Sequence, residues 1–234
     1  MAEAAGADML DLNLGFGKRA GPDIARWLVS ELTGTTDLDI CLDSANPEVL
    51  RAGLEEARAQ GRRRPPLINS FNLDPAKLEH ILPLAAEFEA EIIGYCVRDT
   101  VPQRDEDRLL AAAELVQAAE SAGVPRERLF LDPILFPLAS FQEDLGRVLT
   151  FLRLLPEVVP AAPRILVGLS NVGYGLPARA RAAVEAAVLP LLWGVGLDAV
   201  LLNLNRPELR NATAIIRAIE MESVFTAADL QTER

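Results

Sequence analysis

The chain has 234 residues, half of them hydrophobic and 24% charged, a balance that excludes disorder, collagen-like repetition and a disulfide scaffold and allows one large buried core. Its formal net charge of -11 and pI of about 4.7 repel phosphate backbones and anionic headgroups, so nucleic acid is not an expected partner. No shift of composition marks an internal boundary, and residues 1–221 read as one barrel domain with a polar C-terminal tail over 222–234.

At the N-terminus, Glu3 and Asp8 precede the first apolar run with no cationic segment, which is not the pattern of a signal peptide. Residues 2–8 read as the last turn of a helix with Gly6 as its stop. Apolar runs then recur at 9–14, 38–42, 67–70, 91–97, 129–131, 164–169 and 199–204. Stretches of helical periodicity follow them at 23–32, 46–60, 74–89, 105–122, 141–155, 177–193 and 206–221. This alternation is the signature of repeated βα units around a parallel sheet.

Punctuation agrees with that division. Pro47 behind Asn46 and Pro75 behind Asp74 predict N-capped helix starts, and Gly61 and Gly123 predict helix stops. Pro190 predicts a kink or break near 186–189. The longest apolar region, 186–197, is too short to span a bilayer, so the expectation is a cytoplasmic protein without a membrane partner.

Seven strands are one short of a regular barrel's eight. The competing open doubly wound sheet usually carries a glycine-rich phosphate turn, and Gly15-Phe16-Gly17 lacks the third glycine of that fingerprint. Cys41 and Cys96 have no metal-ligand spacing and read as reduced thiols in or near the core. No metal site is expected, and His80, the sole histidine, stands in a helical stretch without a partner histidine. The basic run Arg62-Arg63-Arg64 reads as a solvated loop ahead of the alternative, a contact to a phosphate or a polyglutamate tail.

The most informative pattern is that the apolar runs stop on short amide or carboxylate side chains. Asp11 and Asn13 end the first, Asp43 the second, Asn69 the third, Asp132 the fifth, Ser170 and Asn171 the sixth and Asn203 the seventh. In a parallel barrel these positions share one mouth, where the βα loops build sites. Any one of them is explained by helix capping or strand termination. As a set they are not, because Asp11, Asp43 and Asp132 sit in or at the edge of apolar runs where an unpaired carboxylate is costly to bury. Acceptor carboxylates, mixed amides, one arginine and few aromatics suit a flat heterocycle with an amino-pyrimidine edge.

The segments Leu10-Asp11-Leu12-Asn13, Cys41 to Pro47 (Cys-Leu-Asp-Ser-Ala-Asn-Pro), Ile68-Asn69-Ser70, Asp132-Pro133-Ile134 and Gly168-Leu169-Ser170-Asn171-Val172 resemble, in order, the pterin-binding barrels of methyltetrahydrofolate:corrinoid methyltransferases. The resemblance runs from about Gly6 to Asn205. It implies a TIM-barrel-like parallel barrel that lacks the family's first βα unit. The first and last of the seven strands are then expected to have unpaired edges, sealed by a homodimer or by a subunit that completes the barrel.

The resemblance also assigns roles. Asp43, Asn69 and Asp132 would hold the pterin, Gly168 and Ser170 would line the pocket, and Arg179 would lie beside the ring. Asp11, Asn13 and Asn203 are further pocket candidates. Asn171 would hydrogen-bond N5 as the methyl group leaves, with the proton coming from solvent or from a water held by Asp132. The implied substrate is a tetrahydropterin, methyltetrahydrofolate or a methanopterin analogue, and the implied partner is a corrinoid (cobalamin) protein. A non-catalytic pterin- or partner-binding module is the alternative. Dihydropteroate synthases share the barrel, but their motif resembles Gly-x-Ser-Arg-Lys, and Asn171-Val172 replaces its cations.

Overall fold

A computed structural model describes residues 3–15, 21–98, 102 and 104–220. The turn beyond Gly15 and the 222–234 tail lie outside the described residues. The strands are β1 (Met9–Gly15), β2 (Asp39–Ser44), β3 (Leu67–Phe71), β4 (Ile92–Tyr95), β5 (Leu129–Asp132), β6 (Arg164–Gly168) and β7 (Ala199–Leu201). The helices are α1 (Gly21–Thr33), α2 (Pro47–Ala59), α3 (Pro75–His80), α4 (Leu82–Glu87), α5 (Asp105–Ser121), α6 (Asp144–Val158), α7 (Ala178–Trp193) and α8 (Pro207–Glu220). Strand order follows chain order and every neighbouring pair is parallel. The result is a nearly closed, TIM-barrel-like α/β fold.

Because side chains alternate across a strand, each strand serves two cores. Ile40, Leu42, Ile68, Ile92, Leu129, Leu131, Ile165 and Val167 face outward into the layer shared with the helices. Cys41, Leu67, Ile93, Phe130 and Leu166 face inward and form a second apolar cluster with Met9, Tyr95, Ala199 and Leu201. Both cysteines are buried free thiols, as their apolar runs imply.

Helix starts follow the expected capping chemistry: Asn46 Oδ1 accepts from Glu48 N at 2.9 Å and Asp74 Oδ1 from Ala76 N at 2.8 Å. Two helical expectations need correction. The stretch 74–89 is two helices, because Pro83 offers no N–H and the chain breaks at Ile81 between α3 and α4. The break expected at Pro190 does not occur, and α7 runs through it. Pro190 is exposed and lies within a turn of the helix end, so it forgoes one backbone bond while buried Val188, Leu189 and Leu192 hold the last turn. Those three residues serve the protein's own core, and Leu191 is exposed beside them.

Among the described residues β1 and β7 do not pair. A cleft of about 1280 Å³ separates them, lined from Gly6, Ala7 and Asp8 at one end to Ser170 and Asn203 at the other. Arg217 Nη2 on α8 crosses it to Asp8 Oδ2 at 2.7 Å. No helix among the described residues is long and apolar enough to cross a membrane.

Candidate functional site

The inward ladder places the site. Two residues beyond each member of the inner apolar cluster, at the C-terminal end of the same strand, stands a residue of the mouth: Asp43 after Cys41, Asn69 after Leu67, Tyr95 after Ile93, Asp132 after Phe130 and Gly168 after Leu166. The period of two therefore seats a polar ring on an apolar floor. Strand register ties the ring together, with Asp43 opposite Asn69 and Tyr95 opposite Asp132.

Hydrogen bonds engage the same residues. Asn13 Nδ2 donates to Asp43 Oδ2 at 2.7 Å, and the Tyr95 hydroxyl donates to Asn69 Oδ1 at 2.8 Å. Asp132 Oδ1 accepts the Ile134 N–H at 2.7 Å. Asn69 and Asp132 are almost fully buried, and Asp43 is partly exposed.

Burial sets the protonation of this ring. It raises the Asp132 carboxyl to about 7, against the opposing pull of the Ile134 and Gly168 N–H groups and the Arg108 guanidinium. It raises Asp43 to about 6, helped by the like charge of Asp11 and opposed by Lys77. Burial also lowers the Lys77 ammonium, while Asp74 and Asp43 hold it up. The Tyr95 phenol is pushed up by burial and by the carboxylates of Asp132 and Asp43. The ring thus offers two carboxylates poised near neutrality, which bind N–H donors best when ionised.

The remaining residues singled out in the sequence fall into two groups. Asp11, Ser170 and Asn203 line the β1–β7 cleft, and the buried Cys41 thiol faces Asp11. Asn171 lies exposed in the short 3₁₀ turn Leu169–Gly173 after β6, with its amide folded back over Gly168: a Cβ built on Gly168 would touch Nδ2 at 3.5 Å. Arg179 is exposed in the first turn of α7 and makes no ion pair among the described residues.

Three contributors escaped sequence reasoning. Tyr95 continues an apolar run that shows no polar stop, although its spacing from Ile93 marks it as inward-facing. Lys77 follows an N-cap and looks like an ordinary helical lysine. Arg108 sits in the charged stretch Asp105-Glu106-Asp107-Arg108, which resembles a solvated helix start, yet it is buried against the loop after β5. Among the described residues no group of three or more His, Cys, Asp or Glu is placed to hold a metal ion.

The chain is 23% identical over 202 residues to a methylcorrinoid:tetrahydrofolate methyltransferase of Eubacterium limosum, spanning 85% of this chain and 72% of that protein. It is 26% identical over 212 residues to methionine synthase of Mycobacterium leprae, spanning 86% of this chain but 17% of that protein. The fold matches Yersinia pestis dihydropteroate synthase with a pterine-sulfa conjugate, with a TM-score of 0.70 at 20% identity over 94% of this chain and 85% of that one. Xanthomonas albilineans dihydropteroate synthase with 4-aminobenzoic acid matches with a TM-score of 0.66 at 21% identity over 95% and 83% of the two chains. The family model described as pterin binding enzyme matches residues 2–203, and the chain belongs to that family.

Proposed function

We propose that this chain is a methyltransferase, or a subunit of one, that moves a methyl group between N5 of a tetrahydropterin and a corrinoid protein. The observation that carries the proposal is the ring of Asp43, Asn69 and Asp132 on an apolar floor, with an amide rather than a cation at Asn171. The relatives named for methyl transfer support it. Methyltetrahydrofolate or a methanopterin analogue is the substrate in this reading, the corrinoid is brought by a partner protein, and the location is cytoplasmic.

In this reading Asp132 and Asn69 accept and donate to the amino-pyrimidine edge, Asp43 takes a further N–H, and the inner apolar cluster packs beneath the ring. Arg179, Gly168 and Ser170 border the same face. When the methyl group leaves N5 the electron pair stays on nitrogen. Asn171 cannot give up a proton at neutral pH, so it contributes a hydrogen bond that strengthens as charge develops at N5. The proton comes from solvent or from a water held by Asp132.

Dihydropteroate synthesis is the weaker reading, because Asn171-Val172 stands where that chemistry uses cations. The open edge between β1 and β7 favours a different second reading, a pterin- or partner-binding module completed by a second copy or by another subunit. Mixing the protein with methyltetrahydrofolate and reduced cobalamin separates the two. Methylcobalamin formation supports transfer. Pterin binding without turnover, even with the cognate corrinoid protein present, leaves only the binding module.

A further inference from the structure

Behind Asp132 lies a buried ion pair that the pterin reading does not use. Arg108 of α5 is 1% exposed and Asp144, the first residue of α6, is 4% exposed. The guanidinium reaches three partners: Nε donates to Pro133 O at 2.7 Å, and Nη2 donates to Ile134 O at 3.2 Å and to Asp144 Oδ1 at 2.6 Å. The second carboxylate oxygen of Asp144 accepts the Phe136 N–H at 3.0 Å. Phe136 in turn lies beneath the guanidinium, 5.8 Å from it, and packs on Phe141 at 5.3 Å.

These contacts tie down the backbone at Pro133, Ile134 and Phe136. Within that span Ile134 has φ of 54°, a left-handed conformation unfavourable for a β-branched residue and kept only where its surroundings over-determine it. The Ile134 N–H is the group that meets Asp132 Oδ1. A buried pair of this kind adds little stability over well-packed apolar side chains, so loop geometry is the better account of its presence.

We propose that Arg108 and Asp144 are positioning residues for Asp132, pinning the loop after β5 so that its carboxylate is presented to the pocket in one orientation. Arg108 grips the carbonyls with its planar fork, and Asp144 fixes both the fork and the far side of the loop. The charged and titratable groups around Asp132 are Arg108 on α5 with its partner Asp144 on α6, Tyr95 at the end of β4 and Cys96 just after it, and burial keeps both of the latter protonated. Arg108 is the one cation among them, and it favours the ionised carboxylate.

The test uses the full chain with Asp132 titrated by carboxyl ¹³C chemical shift, assigned by its loss in Asp132→Asn, and pterin affinity measured by calorimetry. In Arg108→Met/Asp144→Leu the pair is replaced by apolar bulk, the melt shows a folded protein, the Asp132 midpoint moves up, and pterin binds roughly tenfold more weakly, the low end of the loss seen when an outer partner of a metal ligand is removed. In Asp144→Asn the guanidinium is left unmatched, so the midpoint moves down, while loss of the Phe136 bond speeds exchange of the Ile134 amide and weakens pterin binding. Wild-type titration and affinity in either folded variant overturn the proposal. The affinity readout rests on the pterin reading, which fails by itself if Asp132→Asn binds pterin normally. The carboxyl titration and the Ile134 exchange decide the positioning role without it.

Discussion

The Tyr95 hydroxyl donates to Asn69 Oδ1 at 2.8 Å, between strands adjacent in the barrel. This bond fixes which way the Asn69 amide is turned, with Oδ1 engaged as acceptor and Nδ2 as the donor end. Tyr95→Phe should therefore cost about 1 kcal/mol of stability from the lost hydrogen bond and weaken pterin binding several-fold as the amide gains freedom to flip. Thermal melts and calorimetric titration with a tetrahydropterin check both. Unchanged affinity would remove Asn69 orientation from the site's requirements.

Asp132 is an almost fully buried acceptor of the ring. Replacing it by Ala removes a charge-assisted bond of about 1.5 to 3 kcal/mol, so pterin affinity should fall roughly tenfold to a hundredfold. The same calorimetric titration reads it, and wild-type affinity in a folded variant would place the pterin elsewhere.

The pH dependence follows from the same burial. The native carboxyls at about 6 for Asp43 and about 7 for Asp132 hold protons that an unfolded chain releases near 4. Between about pH 4 and 7 the native state therefore binds more protons than the unfolded state, and these two groups make the ligand-free protein less stable as pH rises through that window. Pterin binding should run the other way, gaining strength as Asp132 ionises and levelling off above about 7. Denaturant melts and pterin titrations from pH 5 to 8.5 should show the opposed trends, and parallel trends would mean that the ring is not the pterin site.

Lys77 holds Asp43 toward its ionised form. Lys77→Met should move the Asp43 midpoint up from about 6. The pterin-affinity profile should then lose strength on its acidic side at a higher pH than in the wild type. Carboxyl ¹³C titration reads the first change and calorimetry the second.

The strands and the ring were legible for one physical reason. Strands buried on both faces read as continuous apolar runs, so the Asp or Asn ending a run stands out. Tyr95 stayed hidden because a β-forming aromatic prolongs such a run, and Arg108 because burial is decided by the loop after β5, far away in sequence. The break at Ile81 needed weight on Pro83, whereas Pro190 was overweighted because its distance from the helix end and the buried side chains beside it decide the outcome. The cleft between β1 and β7 follows from counting strands, yet its wall does not: Glu185 is buried there against Arg206, with Oε1 accepting from Nη1 at 3.0 Å, and nothing in its helical context marks it.

Asn171 provides the sharpest separation of transfer from binding. Its amide rests over Gly168 on an exposed turn, off the buried ring, so it contributes little to holding the heterocycle in the ground state. A hydrogen bond that strengthens as charge builds on N5 lowers the barrier without tightening the complex. Asn171→Ala should therefore leave pterin affinity within about threefold of wild type, yet slow methylcobalamin formation by roughly a hundredfold to a thousandfold, the loss typical of one oriented donor. Single-turnover transfer at saturating methyltetrahydrofolate, followed by the cobalamin spectrum, measures the rate free of binding effects. An equal loss in affinity and rate would make Asn171 a binding residue, and no loss in either would remove it from the site.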